Sequence, residues 1–151
     1  MKTSKASINA FFGSRNLAIA GVSRDQKKFG YTVLGKLKEM GFDLFLIHPD
    51  TDTLHGETSY RDISLLPGDI GGLLILTPKA KTLDLVKGAV KKGIPNLWIQ
   101  QMSETPESIE YAVSNKVNLV TGQCILMFAE PVEGFHRFHR NLKRFFGMLP
   151  K

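Results

Sequence analysis

The 151-residue sequence has one cysteine, Cys124, so no intramolecular disulfide framework can form and the chain suits a reducing, cytoplasmic compartment. No segment approaches the roughly 20 consecutive apolar residues that a membrane-spanning helix requires. The amino-terminal stretch MKTSKASINAFFGSRNLAIAG is interrupted at Asn9, Gly13, Ser14, Arg15 and Asn16, so it lacks the continuous apolar region of a secretory signal. Of the four histidines, His48 and His55 fall in loops, while His136 and His139 stand three apart without a third ligand in reach, and no metal site is expected. There is no low-complexity segment and no repeat at solenoid periods.

What is present is the composition of one globular domain, 42% hydrophobic and 23% charged, long enough to bury a core without crosslinks. A formal charge of +6 favours anionic partners, and its location is more informative than its sign. Basic residues gather at Arg24, Lys27 and Lys28, and again at Arg137, Arg140, Lys143, Arg144 and Lys151.

Short apolar runs alternate with segments of helical period, the pattern of βαβ units. Strands are expected at 17–22, 44–47, 73–76, 96–99 and 119–121, with a small edge strand at 58–60 in an otherwise loop-like segment. Helices are expected at 29–40, stopped by Gly41, at 79–92, with Leu83, Val86 and Val90 inward and Gly93 as cap, and at 103–115. The order implies an α/β fold, a Rossmann-like doubly wound and mostly parallel sheet with helices on both faces. Such sheets bind ligands outside the carboxyl ends of their strands, where the strand order reverses. The loops at Gly21, His48-Pro49, Thr77-Pro78, Gln100-Gln101 and Gly122-Gln123-Cys124 therefore define a candidate site.

The first of these loops, Gly21-Val22-Ser23-Arg24-Asp25-Gln26-Lys27-Lys28-Phe29-Gly30, departs from the dinucleotide fingerprint GxGxxG. Gly21 can make the tight turn, but Ser23 stands where a second glycine would admit a pyrophosphate, and the loop runs longer before Gly30. Free amides at a helix start, a serine hydroxyl and three cationic side chains still make a phosphate site. Such a site can hold a nucleotide, NAD(P) among them. The second strand ends Ile47-His48-Pro49 without the acidic residue that usually accepts the ribose hydroxyls of NAD, although Asp50 follows closely, and the basic loop could grip the 2′-phosphate of NADP.

The stretches LAIAGVSRDQKKFGYTVLGKLKEMGFDLFLIHP, LILTPKAKTLDLVKGAVKKGIPNLWIQQ and NLVTGQCILMF, taken in that order and spacing over residues 17–128, resemble the CoA-binding domain family. These are small Rossmann proteins related to the N-terminal domain of the succinyl-CoA synthetase α subunit. The resemblance implies that the CoA diphosphate and 3′-phosphate meet Gly21, Ser23, Arg24 and Lys28, in a loop completed by Val22, Phe29 and Gly30. It places the nucleotide end near His48 and Pro49, and the pantetheine arm past Thr77 and Pro78 toward Gln100 and Cys124. In synthetase-like relatives a lysine often follows the second strand; here Asp50 does. Those enzymes also draw a catalytic histidine from a further domain and work with a nucleotide-binding partner subunit, neither of which these residues supply. The expectation is a module or sensor that binds CoA or an acyl-CoA, with no base placed beside a nucleophile.

Cys124, followed by Ile125, Leu126, Met127 and Phe128, is expected to pack or line the pocket rather than react. Residues 6–12 are expected to form a short helix outside the core. The segment 131–148 carries Phe135, Phe138, Leu142, Phe145 and Phe146 on one helical face and cations on the other. That face could dock on the domain or across a homodimer interface, or serve an interaction protein at an anionic membrane or RNA; aromatics on an inward face could not stack on bases.

Overall fold

A computed structural model describes residues 3–129. The basic carboxy-terminal segment, and with it the expected amphipathic helix, lies outside the described residues.

The chain forms α1 (Lys5–Phe12), β1 (Asn16–Ala20), α2 (Phe29–Glu39), β2 (Asp43–Ile47), β3 (Thr53–Leu54), β4 (Glu57–Tyr60), β5 (Gly72–Ile75), α3 (Lys79–Lys92), β6 (Asn96–Gln100), α4 (Pro106–Ser114) and β7 (Asn118–Gln123), with single 3-10 turns at Ile63–Leu65 and Ile125–Met127. The sheet runs in the order β3-β4-β2-β1-β5-β6-β7, and every pairing is parallel except the β3–β4 hairpin. From β1 the chain builds outward through β2 and β4, then returns to lay β5 on the other side of β1. The reversal between β1 and β5 opens a crevice at the carboxyl ends of those strands.

Both faces of the sheet are covered, which is why its strands read as apolar runs rather than as alternation. Leu17, Ile19, Leu46, Leu74, Trp98 and Val120 point to the face carrying α1, α2 and the Ile125–Met127 turn. Their neighbours Ala18, Ala20, Ile47, Leu73, Ile75, Leu97, Ile99 and Leu119 point to the face carrying α3, α4 and the Ile63–Leu65 turn.

Local signals set most boundaries. Gly41 takes a φ of +89° just after α2, and Gly93 caps α3 at +82°, the left-handed conformation in which glycine carries no Cβ penalty. α4 begins at Pro106, three residues later than the periodicity suggests, because Thr105 is its N-cap: Thr105 Oγ1 accepts from Ser108 N–H at 3.0 Å, and Ser108 Oγ takes the reciprocal bond from Thr105 N–H.

Beyond shifts in element bounds, such as those of α4, of β1 (expected to run to Val22) and of β7 (expected to end at Thr121), the structure departs from the expected elements in three places. The strand at 57–60 is not the sheet edge; it pairs with β2, and the edge is the unexpected two-residue β3. The inward face of α3 is Thr82, Val86 and Ala89, with Leu83 and Val90 only half-buried, since Thr82 turns in to donate to the Ser103 carbonyl at 2.7 Å. α1 is part of the core rather than an appendage. Phe11 is fully buried and meets Trp98 edge-on at 5.4 Å, Phe12 meets it at 5.6 Å, and Thr3 exchanges two hydrogen bonds with the backbone of Thr121.

No helix among the described residues is long and apolar enough to cross a membrane.

Candidate functional site

At the crevice between β1 and β5 lies a cleft of about 740 Å³, within the range of about 300–1,000 Å³ usual for small-molecule sites. Its first wall is the loop after β1, from Ala20 through Arg24; its second is the end of β2 and the residues that follow, from Ile47 through Asp50. Arg61, Asp62 and Ile63 close it below, and Thr77 and Pro78 lead into α3, which contributes Lys81, Asp84 and Leu85.

The turn at Gly21 depends on glycine twice over. Its φ is +102°, and a Cβ there would fall 2.7 Å from the Leu76 carbonyl carbon and 2.8 Å from the Thr77 nitrogen. Close approach of two backbones at the end of adjacent strands thus leaves the loop amides, rather than a side chain, at the rim.

Beyond Gly21 the loop is ordered by its own polar groups. Ser23 Oγ accepts from Asp25 N–H at 3.0 Å, and the Asp25 carboxylate accepts from Lys27 N–H at 2.9 Å. Those two amides are engaged within the loop, so the groups it offers the cleft are the backbone at Gly21 and Val22, the Ser23 hydroxyl hydrogen and the Arg24 guanidinium. On the opposite wall, His48 Nδ1 accepts from Asp50 N–H at 3.1 Å. A backbone amide can only donate, so the neutral ring carries its hydrogen on Nε2, which is left as a donor.

Thr77 provides the most pointed chemical signal. It is 8% exposed, and its Oγ1, although buried, has no hydrogen-bond partner among the described residues. A buried hydroxyl without a partner costs about 1–3 kcal/mol, and since Oγ1 itself is closed to solvent, only a turn of the side chain would bring it to a ligand in the cleft.

Eight of the residues expected from sequence line this cleft: Gly21, Val22, Ser23, Arg24, His48, Pro49, Thr77 and Pro78. Five do not, each for a reason in the packing. Lys28 is the exposed N-cap of α2, Phe29 is 39% exposed in its first turn, and Gly30 is buried where α2 crosses the loop. Gln100 turns inward and its Oε1 accepts from Ile125 N–H at 3.0 Å, satisfying an amide at the start of the last 3-10 turn. Cys124, 3% exposed, belongs to the hydrophobic cluster around Trp98, so the cleft wall does not extend to the thiol.

Arg61, Asp62, Lys81 and Asp84 were not anticipated as lining. The turn and helix that carry them are separated in sequence from the first loop, and only the strand order unites them. With Arg24 and Asp50 they give the cleft three cations and three carboxylates. Arg61 is further engaged by Asp52, 3.0 Å from its Nε. Selectivity for an anion must therefore come from directed donors rather than from a strongly positive field.

Comparison with known proteins bears on this geometry. The family model described as a CoA binding domain matches residues 15–130. The chain belongs to the CoA-binding domain family. Over 155 aligned residues it is 24% identical to the acetate–CoA ligase [ADP-forming] II subunit alpha of Pyrococcus furiosus, a match covering 95% of this chain and 32% of that protein. It is likewise 24% identical to the acetate–CoA ligase [ADP-forming] of Methanocaldococcus jannaschii, covering 89% of this chain and 19% of that one. The chain thus spans a third or less of the length of these curated relatives. A conserved hypothetical protein of Pyrococcus furiosus superposes with a TM-score of 0.70 at 30% identity, covering 74% of this chain and 96% of that chain. A hypothetical protein of Pyrococcus horikoshii reaches 0.78 at 21% identity, covering 88% and 94%, and shares the fold.

Proposed function

We propose that this chain binds coenzyme A or an acyl-CoA in the cleft at the ends of β1, β2 and β5, as a binding module or sensor rather than as an enzyme in its own right. The observation that carries the reading is the cleft of about 740 Å³ that the glycine turn at Gly21 and the adjacent Thr77 line side by side, in a chain of the CoA-binding domain family. Gly21, Val22, Ser23 and Arg24 would meet the diphosphate, with the nucleotide end beside His48 and Pro49. Arg61 and Lys81, which also line the cleft, would add cations for a further phosphate. CoA would supply its thiol as an acyl carrier; the chain's own contribution is to bind and orient.

Thr77→Val tests this. Replacing an unsatisfied hydroxyl by a methyl group of similar shape should leave the ligand-free protein as stable as before, or more stable by up to about 1 kcal/mol. The same change should weaken CoA several-fold in calorimetric titration. Unchanged CoA affinity would remove Thr77 from the site.

One observation favours a second reading. Asp50 lines the cleft just past β2, where a carboxylate can accept the ribose hydroxyls of NAD(P). Tighter binding of NADPH than of CoA would select it.

A further inference from the structure

The loop that enters the cleft is held from outside by the β3–β4 hairpin. The hairpin's two turn residues, His55 and Gly56, both have positive φ, 52° and 78°, as in the two-residue turns that match strand twist. The first position of such a turn favours glycine or asparagine, yet here it carries a histidine. The His55 ring turns away from its own strands, and its Nε2 lies 2.7 Å from the carbonyl oxygen of Ser23. A carbonyl can only accept, so Nε2 carries the hydrogen and donates it.

The hairpin has two more anchors, both on α2. The His55 ring meets Tyr31 edge-on with centroids 4.7 Å apart, and Glu57 pairs with Lys38 at 2.7 Å. Ser23 is therefore fixed on both sides, its side chain by the Asp25 amide and its carbonyl by His55. The peptide unit that His55 holds runs directly into Arg24, which lines the cleft.

We infer that His55 is a positioning residue: by gripping the Ser23 carbonyl it sets the direction of the following peptide and keeps Ser23 and Arg24 turned toward the ligand. The effect on affinity rests on reading the cleft as a CoA site; the effect on the loop does not.

Two substitutions in the full chain separate the hydrogen bond from the ring. His55→Phe keeps an aromatic ring beside Tyr31 and loses the donor, whereas His55→Gln offers an amide N–H at similar reach. Calorimetry with CoA, thermal unfolding and amide exchange across residues 23–28 are the readouts. Loss of this partly buried hydrogen bond should weaken CoA roughly three- to tenfold in H55F, with faster exchange across the loop. H55Q should stay close to wild type in both, and the two variants should unfold within a few degrees of each other. Wild-type affinity in H55F, or equal weakening in both variants, would overturn the inference. Should the wild type bind no CoA, the ligand reading fails, and exchange alone then decides: an unaltered rate across 23–28 in H55F would refute the brace.

Discussion

Gly30 packs against Val22 so closely that a Cβ placed on it would lie 3.0 Å from the Val22 Cα and 3.3 Å from the Gly21 carbonyl oxygen. This contact lets α2 start immediately beneath the cleft loop, so Gly30 supports the site by what it leaves out. Five residues on, Gly35 is exposed in the same helix, with nothing within 4 Å of where its Cβ would be. Alanine normally improves a helix interior over glycine by about 1 kcal/mol. Gly35→Ala should therefore raise stability by up to about that amount, while Gly30→Ala should lower it, because backbone rather than a flexible side chain must give way. Urea unfolding of the two variants checks the pair; equal gains in both would mean that the loop and helix are not in tight contact.

Phe11 supplies a second test, of the claim that α1 belongs to the core. Its ring is fully buried against Trp98, and truncating such a side chain commonly costs about 3–5 kcal/mol. Phe11→Ala should show a loss of that order in denaturant unfolding. A change below about 1 kcal/mol, typical of surface sites, would mark α1 as a loosely attached appendage.

The parallel sheet was legible in the sequence because doubly covered strands appear as apolar runs, and the ends of α2 and α3 because Gly41 and Gly93 mark them. The place of α1 was not, since an eight-residue helix shows barely two turns of periodicity and its partner Trp98 lies far along the chain. β3 was hidden by its length of two residues. Among the site residues, the loop after β1 stood out by its glycine and charge. Arg61, Lys81 and Asp84 carry no local signal, because topology alone brings their segments to the crevice. The ends of β6 and β7 were readable only to within two residues, since Gln100, Gly122 and Gln123, expected in loops, belong to the strands, and nothing local shows that Gln100 turns inward to satisfy the Ile125 amide.

Asp62 makes the stability of the cleft floor pH-dependent. Its carboxylate accepts from the Ser64 hydroxyl and, at 3.0 Å, from Ser64 N–H, and these bonds, the hydroxyl first, hold its carboxyl below the usual aspartate range. A carboxyl depressed in the folded state contributes stability above its unfolded value, and that contribution disappears as pH falls through the folded value. Asp62→Ala should thus cost at most about 1 kcal/mol near neutrality, because the group is exposed and solvent screens it. The gap from wild type should narrow as pH drops below the ordinary aspartate range. Urea midpoints over an acid series measure it, and a constant gap would mean that the Ser64 bonds do not favour the ionised form.

The claim that this cleft is built for coenzyme A is tested most directly by calorimetric titration of the purified chain with CoA, dephospho-CoA and NADPH under one buffer and salt concentration. The account predicts saturable one-to-one binding of CoA, tighter than that of dephospho-CoA and tighter than that of NADPH. Absence of CoA binding, or a preference for NADPH, would contradict it.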